Sequence, residues 1–176
     1  MTSRKPFVGS ITGTDGARQG LGDVQDWLGM TPEIMMKIMT ASPSVLSGYI
    51  DFSVTLAGGV LDAKFREQIA LAVSAANQSQ VSIAYHSGVA KRIGMSEDEI
   101  IDSQQCQSSD ARRAAALKFV SELVVWRGQV SPAAVLGIRS AGYGDAEIIE
   151  IAANVAVVTL ANCFACIVGR QPIATQ

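Results

Sequence analysis

A single histidine, His86, serves the whole chain of 176 residues, so any imidazole chemistry passes through that one side chain. A zinc site of the usual spacing is not expected, because one histidine and three scattered cysteines cannot supply four close ligands. Those cysteines, Cys106, Cys163 and Cys166, are odd in number and do not space out a disulfide framework. Charge is also sparse: 17% of residues are charged against 48% hydrophobic, and the net charge is −2. With no basic excess and no Lys/Arg cluster interleaved with aromatics, nucleic acid is not an expected partner. So lean a charge complement on a small chain is expected to hide apolar surface between subunits, which predicts a homo-oligomer.

The opening stretch MTSRKPFVGSITG carries a little positive charge but no apolar run behind it, so it is not read as a secretory leader. With no export signal the expected compartment is the reducing cytoplasm. The most apolar stretch, 151–168, is barely long enough for a bilayer and is interrupted by Asn154, Thr159 and Asn162. A buried helix, and no membrane, is the expectation. Glycines 13, 16, 20 and 22 follow no strand and match no phosphate-binding loop, and nothing else calls for a cofactor. Sustained alternation with β-branched enrichment is missing throughout, which argues against a sheet.

What is present reads as helix after helix. Residues 1–22, rich in Gly, Ser and Thr, form an irregular N-terminal arm, and residues 23–176 one all-α helical domain. Thr31-Pro32-Glu33 opens a first helix carrying Ile34, Met35, Ile38 and Met39. Helices are then expected from Ser44 to Leu56, from the cap Asp62 to Ala76, and from Ser79 to Arg92, stopped by Gly94. Ser96 and Glu99 make a capping box for a short helix. Asp110 caps one reaching Arg127 with Gly128 at its end, and Ser131-Pro132 opens one closing at Gly142. Asp145 begins the longest, running to about Val168. Met30, Met35, Met36 and Met39 read as adaptable core or interface filler.

Spacings of three, four and seven put Ser79, Ser82 and His86 on one face of a single helix. Glu67 lies on the preceding helix, and the short Asn77-Gln78 link lets the two pack side by side, so a carboxylate can reach that stripe. Acid, imidazole and two hydroxyls facing one another can relay a proton. The same residues also have a plain structural reading: Ser79 as an N-cap, Ser82 as a small residue at a helix contact, His86 as a packed or surface side chain. Spacing alone leaves both readings open.

The stretch LDAKFREQIALAVSAANQSQVSIAYHSGVAKRIGMSEDEI, Leu61 to Ile100, resembles the core of the alkylhydroperoxidase-D-like branch of the carboxymuconolactone decarboxylase family. Glu67, His86 and the turn Gly94-Met95-Ser96 fall in register with that core. ARRAAALKFVSELV and the segment from Val130 to Asn162 resemble the closing helices, so the resemblance runs from about Thr31 onward. It implies an oligomeric all-α bundle, a trimer or hexamer, acting on a small-molecule substrate, a peroxide or a small organic acid, with a thiol–disulfide donor protein as a partner. In the thiol branch it implies a Cys-x-x-Cys pair whose second cysteine attacks peroxide and whose first resolves it, with Glu67 and His86 as proton shuttles.

Here Ser79 and Ser82 occupy the two cysteine positions. A cysteine at a helix N-terminus beside a histidine has a depressed pKa, and two such thiols one turn apart can close reversibly. Serine can do neither, so dithiol peroxidase activity is not expected of this chain. An engineered Cys→Ser pair and a natural lineage that lost its thiols both account for the substitution. Two further readings follow: a thiol-independent acid–base enzyme using His86 and Glu67, as the family's lactone decarboxylases imply, or a non-catalytic oligomeric binding protein. Cys163 and Cys166, deep in an apolar helix near its negative end, are expected to pack as small hydrophobes. Cys106 reads as a free thiol in a polar loop, and the basic pairs Arg112-Arg113 and Lys64/Arg66 as solvated charge.

Overall fold

The computed structural model describes Lys37 and residues 41–169. The expected N-terminal arm, the helix at Thr31 and the methionines at 30, 35, 36 and 39 lie outside them. Among the described residues there are seven helices and no strand. They are α1 (Pro43–Ala57), α2 (Ala63–Ala76), α3 (Gln80–Arg92), α4 (Glu97–Gln104), α5 (Ala111–Val125), α6 (Pro132–Ser140) and α7 (Asp145–Gly169). The described residues up to Thr55 belong to one compact unit and Leu56–Ile167 to another. In the first, α1 starts on Pro43, whose missing N–H costs nothing at a helix start. Leu46 and Ile50, four apart on one face, are its buried residues there.

In the second unit the starts of α2, α4, α5 and α6 are written locally. Asp62 accepts from the Phe65 N–H at 2.9 Å, Asp110 from Arg113 N–H at 2.9 Å and Ser131 Oγ from Ala134 N–H at 3.1 Å. Ser96 and Glu99 exchange the two bonds of a capping box. The ends share one device. Helices α2 to α6 each close on a left-handed residue whose N–H, and the next one's, turn back onto the last carbonyls. The left-handed residues are Gln78, Gly94, Cys106, Arg127 and Gly142. Helix α5 therefore stops at Val125 rather than reaching Arg127, because the left-handed turn already begins at Arg127 and continues through Gly128.

Helix α2 is the centre of this unit. Its residues Gln68 to Ser74 are all buried, and it packs against α3, α4 and α5. Its stretch from Ile69 to Val73 is apolar on every side, and such a stretch belongs in a core. Leu71, Ala90, Met95 and Ile100 form one buried cluster that ties α2, α3 and α4 together. Leu117 and Val120 of α5, Ile138 of α6 and Ile151 of α7 are likewise buried. Each such side chain contributes about 1.5–3 kcal/mol by leaving water.

Helix α7 is long and apolar enough over Asp145–Ile167 to cross a membrane by length and composition, with 39% of its most apolar window buried. The polar residues interrupting it close locally: Asn154 donates to the Glu150 carbonyl at 2.8 Å and Thr159 to the Val155 carbonyl at 2.7 Å. Its exposed side includes Leu160, Ile167 and both Cys163 and Cys166. That corrects the packing role expected of the two cysteines. Apolar residues fall on every side of α7 around these two cysteines, so its sequence gives no sign of which side faces its neighbours.

At the N-terminal end of α7, the Glu150 carboxylate accepts from Val60 N–H at 2.8 and 2.9 Å and from Leu61 N–H at 3.2 Å. Gly59 is required beside it, since a Cβ there would lie 2.6 Å from the carboxyl carbon of Glu150. This latch fixes the strand of backbone that leads into α2, and so the helix that carries Glu67.

Candidate active site

Glu67 sits one turn into α2 and His86 midway along α3, the two helices being joined by Asn77, Gln78 and Ser79. That link is short because the reversal is tight. Gln78 takes φ 55°, its N–H donates to the Ala75 carbonyl and the Ser79 N–H to the Ser74 carbonyl, both at 2.9 Å. The chain turns back at once, so α3 runs beside α2 and the two faces meet. His86 Nδ1 then lies 2.9 Å from Glu67 Oε2, with both side chains about five-sixths buried (16% and 17% exposed). A carboxylate offers only lone pairs, so Nδ1 carries the hydrogen and Nε2 is left with the basic pair. The ring of Tyr85 meets the imidazole edge-on, with centroids 5.0 Å apart.

Ser79 and Ser82 form the second pair. Ser79 Oγ donates to Ser82 Oγ at 2.9 Å, and Ser82 is 7% exposed. Ser79 occupies the N-cap position of α3 but makes no side-chain capping bond. Its hydroxyl, directed to Ser82, is unavailable to the backbone. Among the described residues the amides of Gln80, Val81 and Ser82 have no protein acceptor, so the positive end of α3 is left open beside the two hydroxyls. The structure thus brings Glu67 to His86 and Ser79 to Ser82. Helical geometry puts His86 one turn beyond Ser82 on the same face. Among the described residues no hydrogen bond joins Ser82 to His86.

The basic side chains behave differently from the solvated charge expected of them. Arg113 donates to Asp62 at 2.9 Å and to buried Gln68 at 3.0 Å, with its guanidinium over the Phe65 ring. Arg112 pairs with Glu147 at 2.7 Å and lies 3.8 Å above the Tyr143 ring. Lys64 pairs with Glu99, and Arg66 donates to the Leu61 carbonyl at the start of its own helix rather than toward the site. These residues brace α2, α5 and α7. Nothing in the sequence signals the Arg113 contacts, whose partners Asp62 and Gln68 lie on a distant stretch of chain. Cys106, half-buried at the end of α4, has its thiol pushed up by burial, partly offset by a hydrogen bond with Ser121. The uncapped start of α3 was missed, because a serine at an N-cap position reads as a cap.

Residues 43–122 match the carboxymuconolactone decarboxylase family. No match was found among curated proteins. Among solved structures the chain is similar to a peroxidase-related protein from Silicibacter sp. TM1040, at 21% identity and a TM-score of 0.78, over 99% of this chain and 96% of that one. It is also similar to an alkylhydroperoxidase AhpD core protein, peroxidase-related, from Ralstonia eutropha JMP134, at 23% identity and a TM-score of 0.76, over 98% and 95%. A third is the debrominase Bmp8, solved as a cysteine-to-alanine variant with 2,3,4-tribromopyrrole, at 17% identity and a TM-score of 0.76, over 97% and 95%. At these identities the likeness is one of fold.

Proposed function

We propose that this chain, which belongs to the carboxymuconolactone decarboxylase family in its alkylhydroperoxidase-D-like form, is a peroxidase-type scaffold that keeps a proton relay and lacks the redox couple. One observation carries the reading. Glu67 and His86 meet at 2.9 Å in a mostly buried position, one turn from Ser82 and two from Ser79, the serines that stand where the thiol branch has its cysteines. A thiol pair there has its proton taken by the imidazole, attacks a peroxide oxygen and closes to a disulfide. Oxygen in both seats keeps the shape and the relay but cannot be oxidised through that cycle. The chain as it stands therefore does not reduce peroxide at this site. The peroxidase-related names of two fold neighbours support the first half of the proposal.

The test is to restore sulfur. The Ser79→Cys/Ser82→Cys chain, supplied with a dithiol reductant, is expected to consume an alkyl hydroperoxide well above the unaltered chain, and His86→Ala in that background to lose most of the gain. Consumption no faster than that of the unaltered chain would remove the reading. A second reading, acid–base turnover of a small carboxylated substrate without any thiol, is favoured by the same relay standing intact with no sulfur to serve. It predicts conversion of a lactone acid by the unaltered chain, lost in His86→Ala. Assembly as a homo-oligomer, a trimer or hexamer, is part of the proposal. Exposed Trp126, Leu136 and Ile149, each with more than 60% of its surface open, support it.

A further inference from the structure

We infer that Ser82 is a nucleophile toward small activated acyl esters, with His86 as its general base. The inference rests on the reading above that Glu67 and His86 form the proton relay of the site, and it adds what that relay serves when no sulfur is present.

Four features converge. The Glu67 carboxylate holds the Nδ1 side of His86 at 2.9 Å, which leaves Nε2 as the basic atom. Side chains on a helix lean back over the preceding turn, so the imidazole at 86 lies toward Ser82, four residues earlier. The Ser79 and Ser82 hydroxyls lie 2.9 Å apart, and with Ser79 donating in that bond the hydrogen of Ser82 is left to go to a base. Finally, the amides of Gln80, Val81 and Ser82 are uncapped, and backbone donors at a helix N-terminus stabilise an oxygen that is becoming negative. Nucleophile, base, orienting carboxylate and oxyanion donors all come from the start of α3 and the adjacent turn of α2. The Ser82–His86 hydrogen bond itself is not formed in the free chain; such bonds commonly tighten only with substrate in place.

The chemistry balances without an oxidant. Ser82 Oγ attacks the carbonyl carbon, its proton passes to His86 Nε2, and the carbonyl π pair moves onto oxygen opposite the α3 amides. Collapse expels the alcohol, which takes the proton back from His86, and leaves an ester on Ser82. Water, deprotonated by His86, then hydrolyses that ester and returns Ser82. The sum is ester plus water giving acid plus alcohol. Glu67 touches no reacting atom and acts as a positioning residue.

The experiment uses the full chain with p-nitrophenyl acetate, and separately with diisopropyl fluorophosphate, followed by peptide mass spectrometry. The expected result is an acetyl or phosphoryl group on Ser82 and p-nitrophenol release at least about tenfold faster than from Ser82→Ala, with His86→Ala down by about a hundredfold. Ser82→Cys should still be acylated, which separates loss of the nucleophile from loss of the fold. Glu67→Gln should lower kcat with KM little changed, and Glu67→Asp should recover part of it. No label on Ser82 from either reagent, with equal rates for the native and Ser82→Ala chains, overturns the inference. If the cysteine-restored chain reduces peroxide while native Ser82 stays unlabelled, the relay stands and the acyl chemistry alone falls. If neither occurs, both fall.

Discussion

Removing the carboxylate that anchors the entry to α2 should cost the same whether it is deleted or merely pushed aside. Glu150 holds the backbone N–H of Val60 through both oxygens and that of Leu61 through one. A hydrogen bond to a charged group is worth about 1.5–3 kcal/mol net. Val60 is 58% exposed and can turn to water, so the two N–H groups together make Glu150→Ala cost about 2 kcal/mol. In Gly59→Ala the three atoms nearest the new Cβ all belong to the Glu150 carboxyl group, so the side chain must leave and the same bonds are lost, again about 2 kcal/mol. With Glu150 already truncated those obstacles are gone. Gly59→Ala should then be neutral, or stabilising by about 0.5 kcal/mol because alanine restricts the unfolded chain. The double variant should therefore lie about 2 kcal/mol below the native chain rather than about 4, a coupling readily measured by urea unfolding of the four proteins. Additive losses would refute the latch.

Three further outcomes follow from the same structure. The Arg112 guanidinium holds the Glu147 carboxyl below the usual carboxylate range, Lys64 does so for Glu99, and the Arg113 N–H does so for Asp110. Depressed folded values mean that their contribution is complete above about pH 4 and drains away as pH falls through the folded values. The urea midpoint should thus hold from neutrality to about pH 5 and fall below about pH 4, with Glu147→Gln flattening that fall. In the native chain iodoacetamide should alkylate exposed Cys163 and Cys166 ahead of Cys106, whose thiol burial pushes up; equal rates by mass spectrometry would contradict this. Gln78→Gly should stabilise by about 1 kcal/mol, because Gln78 sits at φ 55° where only glycine avoids a Cβ clash. A higher Tm with His86 chemistry unchanged is the expected reading, and a lower one would show that the Gln78 side chain is needed.

What the sequence made legible is what helices decide locally. Asp62, Ser96, Asp110 and Ser131 cap where their residue types said they would, because a cap is a bond across three residues. Glu67 and His86 were readable as a pair because a reversal as short as Asn77-Gln78 leaves two helices no choice but to lie side by side. Features that depend on a third party were not readable. The left-handed conformation falls to Gln78, Cys106 and Arg127, residue types that do not announce it, so α5 ended early. Arg112 and Arg113 found rings and carboxylates on elements distant in sequence. Cys163 and Cys166 lie on the exposed side of a helix that has apolar residues on every side around them.

Ser79 shows why the site's chemistry is harder to read than its place. By type it caps α3, and a cap would have closed the helix start and made the serine structural. Instead its hydroxyl turns to Ser82, and the amides stay open next to a buried oxygen and an imidazole already oriented by a carboxylate. For a thiol such a base is an aid, because a thiolate forms to some extent without one. For a hydroxyl it is a necessity, since the proton must leave as the bond forms. The Glu67–His86 bond therefore matters more to a chain with serine in these seats than to one with cysteine, and loss of sulfur does not by itself make the site idle.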